Sequence, residues 1–95
     1  MQGLHDLVDE ARQPASPDRA DILQAIEDIV AGMQLPLKRS FDPRCDFQDL
    51  GLDSLAIVEL VAETELRYSL VIEDGDYRQI RSADAFATYL LGRLG

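Results

Sequence analysis

Apolar residues recur at helical spacing along most of the chain. In the first third they form one continuous stripe with intervals of three or four positions, which is typical of a helix with one buried face. Ser16 is a candidate N-cap with Pro17 at the first helical position, and Pro36 cannot continue a helix. The pattern predicts a first helix over about residues 17–34. Its core positions are Ile22, Leu23, Ile26, Ile29, Val30 and Met33.

The stretch from about residue 36 to residue 53 has no regular period, because prolines interrupt it at positions 36 and 43. We expect a long ordered loop that positions the residues after it, since long loops without such a role are uncommon. The apolar residues that can anchor it to the core are Leu37, Phe41, Phe47 and Leu50.

A second helix is predicted from Ser54 to about Tyr68, and its faces differ in character. The face suited to the core contains Ile57, Leu60, Val61 and Tyr68. A polar stripe contains Ala56, Glu59, Glu63 and Arg67. An apolar strip on the other side contains Leu55, Val58 and Ala62. Another helix could cover this strip, or it could border a ligand site or meet a partner protein.

Two further helices complete the pattern. A short one is expected over about Asp76 to Ile80, and the nearby Gly75 weakens it. Ser82 is a candidate N-cap for the last helix. The apolar face of that helix contains Ala83, Phe86, Ala87, Leu90 and Leu94. Three long helices and one short helix predict an all-α fold, a small four-helix bundle.

Residues 1–16 are interpreted as an N-terminal extension to a single domain of residues 17–95. The positions that follow helical spacing in it are Leu4, Leu7, Val8 and Ala11. An isolated helix of this length is marginal in water, so the extension is either a mobile tail, which we favour, or a short docked helix.

Charge and composition limit the classes of molecule that could bind this protein. Nine basic and 18 acidic residues give a net charge of −9, which repels nucleic acid and anionic membranes and attracts basic protein surfaces. The acidity could also serve solubility alone. The chain has one cysteine, no signal-peptide pattern and no apolar run long enough to cross a bilayer. We expect a cytoplasmic monomer.

The stretch from Asp49 to Leu55 has the residues of a turn that delivers a serine to the start of a helix. Gly51 permits a sharp reversal, and Asp53 is a good N-cap. Ser54 then occupies the first helical position, where its hydroxyl is exposed. A phosphate attached to it would lie at the positive end of the helix dipole.

From about Asp18 onward the chain resembles the acyl carrier proteins, whose signature is Leu-Gly-x-Asp-Ser-Leu before an amphipathic acidic helix; residues 50–55 match it. The resemblance implies that Ser54, flanked by Asp53 and Leu55, carries 4′-phosphopantetheine donated by coenzyme A. Acyl groups would be held as thioesters on the terminal thiol of that arm and delivered to partner enzymes of fatty-acid or polyketide-type biosynthesis.

The resemblance also implies the partners and where they bind. They would be a phosphopantetheinyl transferase and acyl-loading, acyl-transferring or condensing enzymes with basic surfaces. The residues expected to recognise them are Leu55, Val58, Glu59, Ala62 and Glu63.

An acyl carrier is favoured over an aminoacyl or peptidyl carrier, because peptidyl carriers more often have a second glycine where Leu52 stands. The spacing of residues 47–50 resembles polyketide-synthase carriers more than bacterial fatty-acid carriers. A non-carrier acidic adaptor remains an alternative. It would explain the charge but not the serine turn.

No catalytic residue and no metal site are predicted. A nucleophilic Ser54 would need a base and an orienting acid, but the only histidine, His5, lies in the extension. Glu59 and Glu63 should both lie on an open, solvated helix face, where nothing distinguishes one as an acid and the other as a base. Cys45 has no second cysteine or histidine near it in sequence, and we interpret it as a spectator thiol.

Overall fold

The computed structural model describes residues 17–94, so the prediction for residues 1–16 falls outside the described part of the chain. Between residues 17 and 94 the helices are α1 (Arg19–Gly32), α2 (Phe47–Leu50), α3 (Ser54–Tyr68), a 3₁₀ helix (Asp74–Gln79) and α4 (Ala83–Leu94). This confirms the all-α fold with three long helices. None of these helices is long and apolar enough to cross a membrane.

Helix α1 begins later than Ser16 and Pro17 indicated, and that prediction is wrong. The N-cap is Asp18, whose side chain accepts the Asp21 N–H at 2.9 Å, while the Asp21 side chain accepts the Asp18 N–H at 3.4 Å. This reciprocal pair satisfies two N–H groups, whereas a serine cap satisfies one. The helix ends at Gly32 instead of residue 34.

The predicted loop contains one helical turn, α2. The sequence did not predict this turn, because the prolines at positions 36 and 43 interrupt the regular spacing of apolar residues. Phe47 and Leu50, three positions apart, both point into the core and are buried. Gly51 ends this turn with φ of 110°, a conformation that favours glycine, as the predicted sharp reversal requires. The anchors predicted earlier in the loop, Leu37 and Phe41, are partly buried against the core.

The core lies where α1 packs against both α4 and α3. The predicted cap of α4 is confirmed, because the Ser82 hydroxyl accepts the Ala85 N–H at 3.1 Å. The largest fully buried apolar side chains come from the three long helices, from α2 and from the segments between the helices. These are Ile22, Ile26, Phe47, Leu50, Leu52, Leu60, Val61, Ile80, Phe86 and Leu90.

Helix α3 largely has the predicted faces, with one exception. Leu60 and Val61 are buried and Ile57 is half-buried, as expected. Ala56, however, is buried and belongs to the core, not to the polar stripe. The small side chain of Ala56 is buried in the first turn of α3, whereas Glu59 and Glu63 remain exposed further along the helix.

The short helix differs from the prediction in position and type. It is a 3₁₀ helix that begins at Asp74, two residues before the predicted start, and it includes Gly75. Its tighter turns are closed by hydrogen bonds such as Asp76 N–H to the Glu73 carbonyl at 2.9 Å. No residue within it is buried, and the buried Ile72 and Ile80 attach its two ends to the core.

Gly51→Ala is expected to destabilise the fold by ~1–3 kcal/mol, because alanine at positive φ is strained. An added Cβ would also lie 3.3 Å from the Lys38 amide nitrogen. Gly92→Ala is the matched control, since a Cβ at that helical position meets nothing within 4 Å. Urea unfolding should show the loss for Gly51→Ala and equal or slightly higher stability for Gly92→Ala. Equal stability of the two variants would contradict the role assigned to Gly51.

Candidate functional site

Ser54 is the first residue of α3, and its side chain is exposed. Leu52 is buried before it, and Asp53 adopts the extended conformation of an N-cap. The Asp53 carboxylate accepts the Ala56 N–H at 2.9 Å, which confirms it as the predicted cap. The Ser54 hydroxyl makes no hydrogen bond within residues 17–94 and is therefore free to react with an incoming group.

The segment that carries this turn is fixed from two sides. On one side the Lys38 N–H donates to the Leu50 carbonyl at 2.8 Å. On the other, the Phe47 N–H donates to the Arg81 carbonyl at 2.7 Å, and the Arg81 guanidinium pairs with Asp46 at 3.0 Å. The first attachment holds the end of α2 against the earlier part of the loop, and the second holds the beginning of α2 against the segment before α4. The chain that leads into α3 is therefore fixed at both ends of α2.

A cleft of ≈ 440 Å³ opens beside Ser54. Its apolar lining consists of Ile57, Val58 and Ile80. Its polar lining consists of Asp46, Gln48, Ser54, Tyr77 and Arg81. A chain attached at Ser54 could therefore lie along an apolar surface and still meet hydrogen-bonding groups at the rim.

Partial burial raises the pKa of the Tyr77 hydroxyl above its ordinary value, and the charges of Asp74 and Glu65 raise it further. The phenol in the cleft is therefore neutral at physiological pH. As a neutral group it can donate a hydrogen bond as well as accept one.

The wall of the cleft formed by the 3₁₀ helix is tethered to α4 by a side-chain network. The Tyr89 hydroxyl donates to Asp76 at 2.7 Å and accepts from Arg93 at 2.6 Å. Burial raises the pKa of Tyr89, and the hydrogen bond to Asp76 raises it by a smaller amount. The phenol thus keeps the proton that it donates. Ahead of this wall, the Ile72 N–H donates to the Glu65 carboxylate at 2.7 Å.

The residues predicted to recognise partners share one exposed face of α3. Leu55 is 68% exposed and Val58 is 49% exposed, which are high values for large apolar side chains. No helix in residues 17–94 covers them. Glu59, Ala62 and Glu63 are also exposed, and within residues 17–94 neither glutamate forms an ion pair. The face is therefore apolar near Ser54 and acidic further along the helix.

The described residues do not assemble an acid–base pair or a metal site beside Ser54. The segment 17–94 contains no histidine, and Cys45 is a free, half-buried thiol. The same segment has no cluster of three or more His, Cys, Asp or Glu side chains that could hold a metal ion. What the site offers is an exposed hydroxyl at a helix N-terminus beside an open cleft.

The far wall of the cleft was not predicted from the sequence. Asp46 and Arg81 form an ion pair although they are 35 positions apart in the sequence, and no local sequence pattern predicts such a contact. The sequence predicted a short helix over about Asp76 to Ile80, but not that Tyr77 and Ile80 would line a cleft beside Ser54. The exposed apolar strip on α3 was the one indication that something lies beside that helix.

Comparison with known proteins places these features in a family. Residues 21–90 match the family described as "Phosphopantetheine attachment site". An acyl carrier protein of Rubrobacter xylanophilus is 32% identical over 75 residues, which cover 78% of this chain and 93% of that relative.

Two solved structures have the same fold. A free-standing peptidyl carrier protein from an Acinetobacter baumannii secondary metabolic pathway matches with a TM-score of 0.71 and 26% identity, covering 82% of this chain and 98% of its own. A protein from Anaplasma phagocytophilum assigned to the acyl carrier proteins matches with a TM-score of 0.70 and 27% identity. The match covers 86% of this chain and 98% of that protein.

Tyr89→Phe is expected to loosen the 3₁₀ wall, because it removes the donor to Asp76 and keeps the ring. Amide hydrogen exchange over residues 74–79 should accelerate, while the free energy of global unfolding falls by only ~0.5–1.5 kcal/mol. Tyr68→Phe is the control, since the hydroxyl of Tyr68 has no hydrogen-bond partner within residues 17–94. Unchanged exchange over residues 74–79 in Tyr89→Phe would show that this network does not hold the wall.

Proposed function

The chain belongs to the phosphopantetheine-attachment family of carrier proteins, and we propose that it carries acyl intermediates as thioesters on a 4′-phosphopantetheine arm joined to Ser54. The observation that supports this most is the exposed hydroxyl of Ser54 at the capped start of α3, which makes no hydrogen bond to any residue from 17 to 94. The arm supplies a terminal thiol, and the protein supplies the attachment point, the cleft and the surface that partners recognise.

The surroundings of Ser54 suit the covalent link. In the attachment reaction the Ser54 oxygen forms a bond to the phosphorus next to pantetheine, the pyrophosphate linkage of coenzyme A breaks, and the adenosine bisphosphate portion leaves. The product is a negatively charged phosphodiester. The N–H groups of Ser54 and Leu55 make no hydrogen bonds within residues 17–94, and the positive end of the α3 dipole favours an anion there.

The cleft beside Ser54 supports a role in holding the cargo. Its apolar lining can shield part of an acyl chain from water, while Gln48, Tyr77 and Arg81 can hydrogen-bond to oxygen atoms on that chain. A mixed lining of this kind suits oxygenated intermediates better than a fully reduced chain. Together with the spacing of residues 47–50, it favours a polyketide-type or other specialised pathway over fatty-acid synthesis.

The likeness of the fold does not distinguish acyl from peptidyl carriers, because one solved structure of each kind matches equally well. The acyl assignment rests on the sequence. Leu52 stands where peptidyl carriers more often have glycine, and its side chain is buried, so a glycine there would remove part of the core.

Helix α3 supports the proposed partner surface. A carrier must meet several enzymes in turn and leave each of them, which suits charges that raise association rates without making complexes long-lived. Glu59 and Glu63 provide such charges and form no ion pair with the part of the chain that the structure describes, and Leu55 and Val58 add an apolar contact next to Ser54. The partners proposed are a phosphopantetheinyl transferase and acyl-transferring or condensing enzymes with basic surfaces.

Attachment of the arm to Ser54 is tested by incubating the wild-type protein and Ser54→Ala with coenzyme A, Mg²⁺ and a phosphopantetheinyl transferase. Intact mass should show one added arm on the wild type and none on Ser54→Ala. The two proteins should unfold at nearly the same temperature, because Ser54 is exposed and Asp53 still caps α3. A modified alanine variant would exclude Ser54 as the attachment site.

Glu59→Lys combined with Glu63→Lys is expected to slow modification by the transferase about tenfold or more at low salt, through slower encounter with a basic partner. The free energy of unfolding should change by less than ~0.5 kcal/mol, since both residues are on the surface. The control is Glu27→Lys with Asp28→Lys on α1, which changes the net charge equally, from −9 to −5. Equal rates for the two double variants would mean that total charge, and not this face, determines the rate.

A further inference from the structure

A second depression lies on the opposite side of the acidic stripe from the cleft. It has a volume of ≈ 460 Å³ and separates the last turn of α1 from the middle of α3. We call it the α1–α3 groove. It is lined by Ile29, Gly32, Met33, Glu59, Ala62 and Glu63. Two of these residues, Ile29 and Gly32, belong to α1, and Met33 directly follows it. The proposed recognition face includes none of these three residues.

The groove exists because small residues stand where larger side chains would fit. A Cβ built on Gly32 meets no atom within 4 Å, so the space beside it is open. Ala62 adds only a methyl group on the facing helix, and Ile29 and Met33 are half-buried beneath. The groove therefore has an apolar floor that a large apolar side chain could cover.

The rim of the groove is negative for two independent reasons. Glu59 and Glu63 are exposed there, and neither has a cationic partner within residues 17–94. The C-terminal end of α1 also lies at the groove, and no basic residue occupies its last turn. The dipole of α1 thus adds partial negative charge to that of the two carboxylates. Charge complementarity calls for a cationic occupant.

Resting on the carrier function proposed above, we infer that the phosphopantetheinyl transferase inserts one large apolar side chain, flanked by Lys or Arg, into the α1–α3 groove. The transferase acts before any arm or cargo is present, so it has only the protein surface to recognise. Enzymes that act later can also hold the arm. The groove consists entirely of residues of the unmodified chain and is continuous with the acidic face of α3.

The position of the groove separates docking from chemistry. Glu59 and Glu63 follow Ser54 by five and nine positions, which places them ~8 Å and ~14 Å along the helix at ~1.5 Å per residue. A partner docked there can reach Ser54 without covering it. Filling the groove should consequently weaken binding of the carrier and leave the transfer step unchanged, so the effect falls on KM and not on kcat.

The test uses the full chain with Gly32→Ala, Gly32→Leu and Gly92→Leu. Leucine at position 32 fills the groove, whereas leucine at position 92 makes the same change on α4, at a site that is equally open. Both substitutions replace a helical glycine with a better helix former, so neither should lose stability. Circular dichroism and urea unfolding verify that each variant folds.

The rate of arm transfer is measured against carrier concentration for each protein. Gly32→Leu should raise KM about tenfold with kcat unchanged, Gly32→Ala should raise it less, and Gly92→Leu should match the wild type. Equal KM for Gly32→Leu and Gly92→Leu would overturn the docking site, as would a loss confined to kcat. These outcomes leave the carrier function intact, whereas a wild-type protein that accepts no arm would overturn that function itself.

Discussion

Burial of Leu50 and Leu52 on either side of Gly51 is the constraint on which the exposed position of Ser54 depends. Both leucines enter the core, and only a residue that tolerates φ of 110° can reverse the chain between them. Asp53 is then the first residue to leave the core, and it caps α3. The Ser54 hydroxyl is thus positioned by the packing behind it, because it makes no hydrogen bond of its own to any described residue.

The two walls of the cleft differ in how firmly they are held. The α3 wall belongs to a helix whose opposite face is core. The 3₁₀ wall has no buried residue of its own and relies on Ile72 and Ile80 at its ends and on the Asp76 to Tyr89 hydrogen bond. Elements with few buried contacts open at low free-energy cost. The cleft therefore has a rigid wall that presents Ser54 and a second wall that can move. This combination suits a protein that binds a cargo and releases it again.

The sequence predicted the parts of the structure that local rules control. The caps Asp53 and Ser82, the turn at Gly51 and the exposed strip of α3 each follow from residues within one or two helical turns. The predicted start of α1 was wrong because two possible cap patterns overlap there. The helix is capped by the reciprocal pair of Asp18 and Asp21 and not by the serine and proline before it.

What the sequence could not supply depends on contacts between distant segments. The pairing of Asp46 with Arg81 brings the loop to the start of α4, and with it the second wall of the cleft. The α1–α3 groove likewise arises from the absence of side chains at Gly32 and Ala62, which gains meaning only once the two helices lie side by side. Periodicity identifies which faces are apolar but not which faces meet.

The proposed role of Ser54 requires that it carries a loaded arm in the cell. Purifying the protein from its native host without reducing agents or base, and mapping its peptides by mass spectrometry, examines this residue in its working state. We expect 4′-phosphopantetheine on the peptide that contains Ser54, with an acyl group that hydroxylamine releases from the thiol. An unmodified Ser54 peptide, or an arm on another residue, would contradict that role.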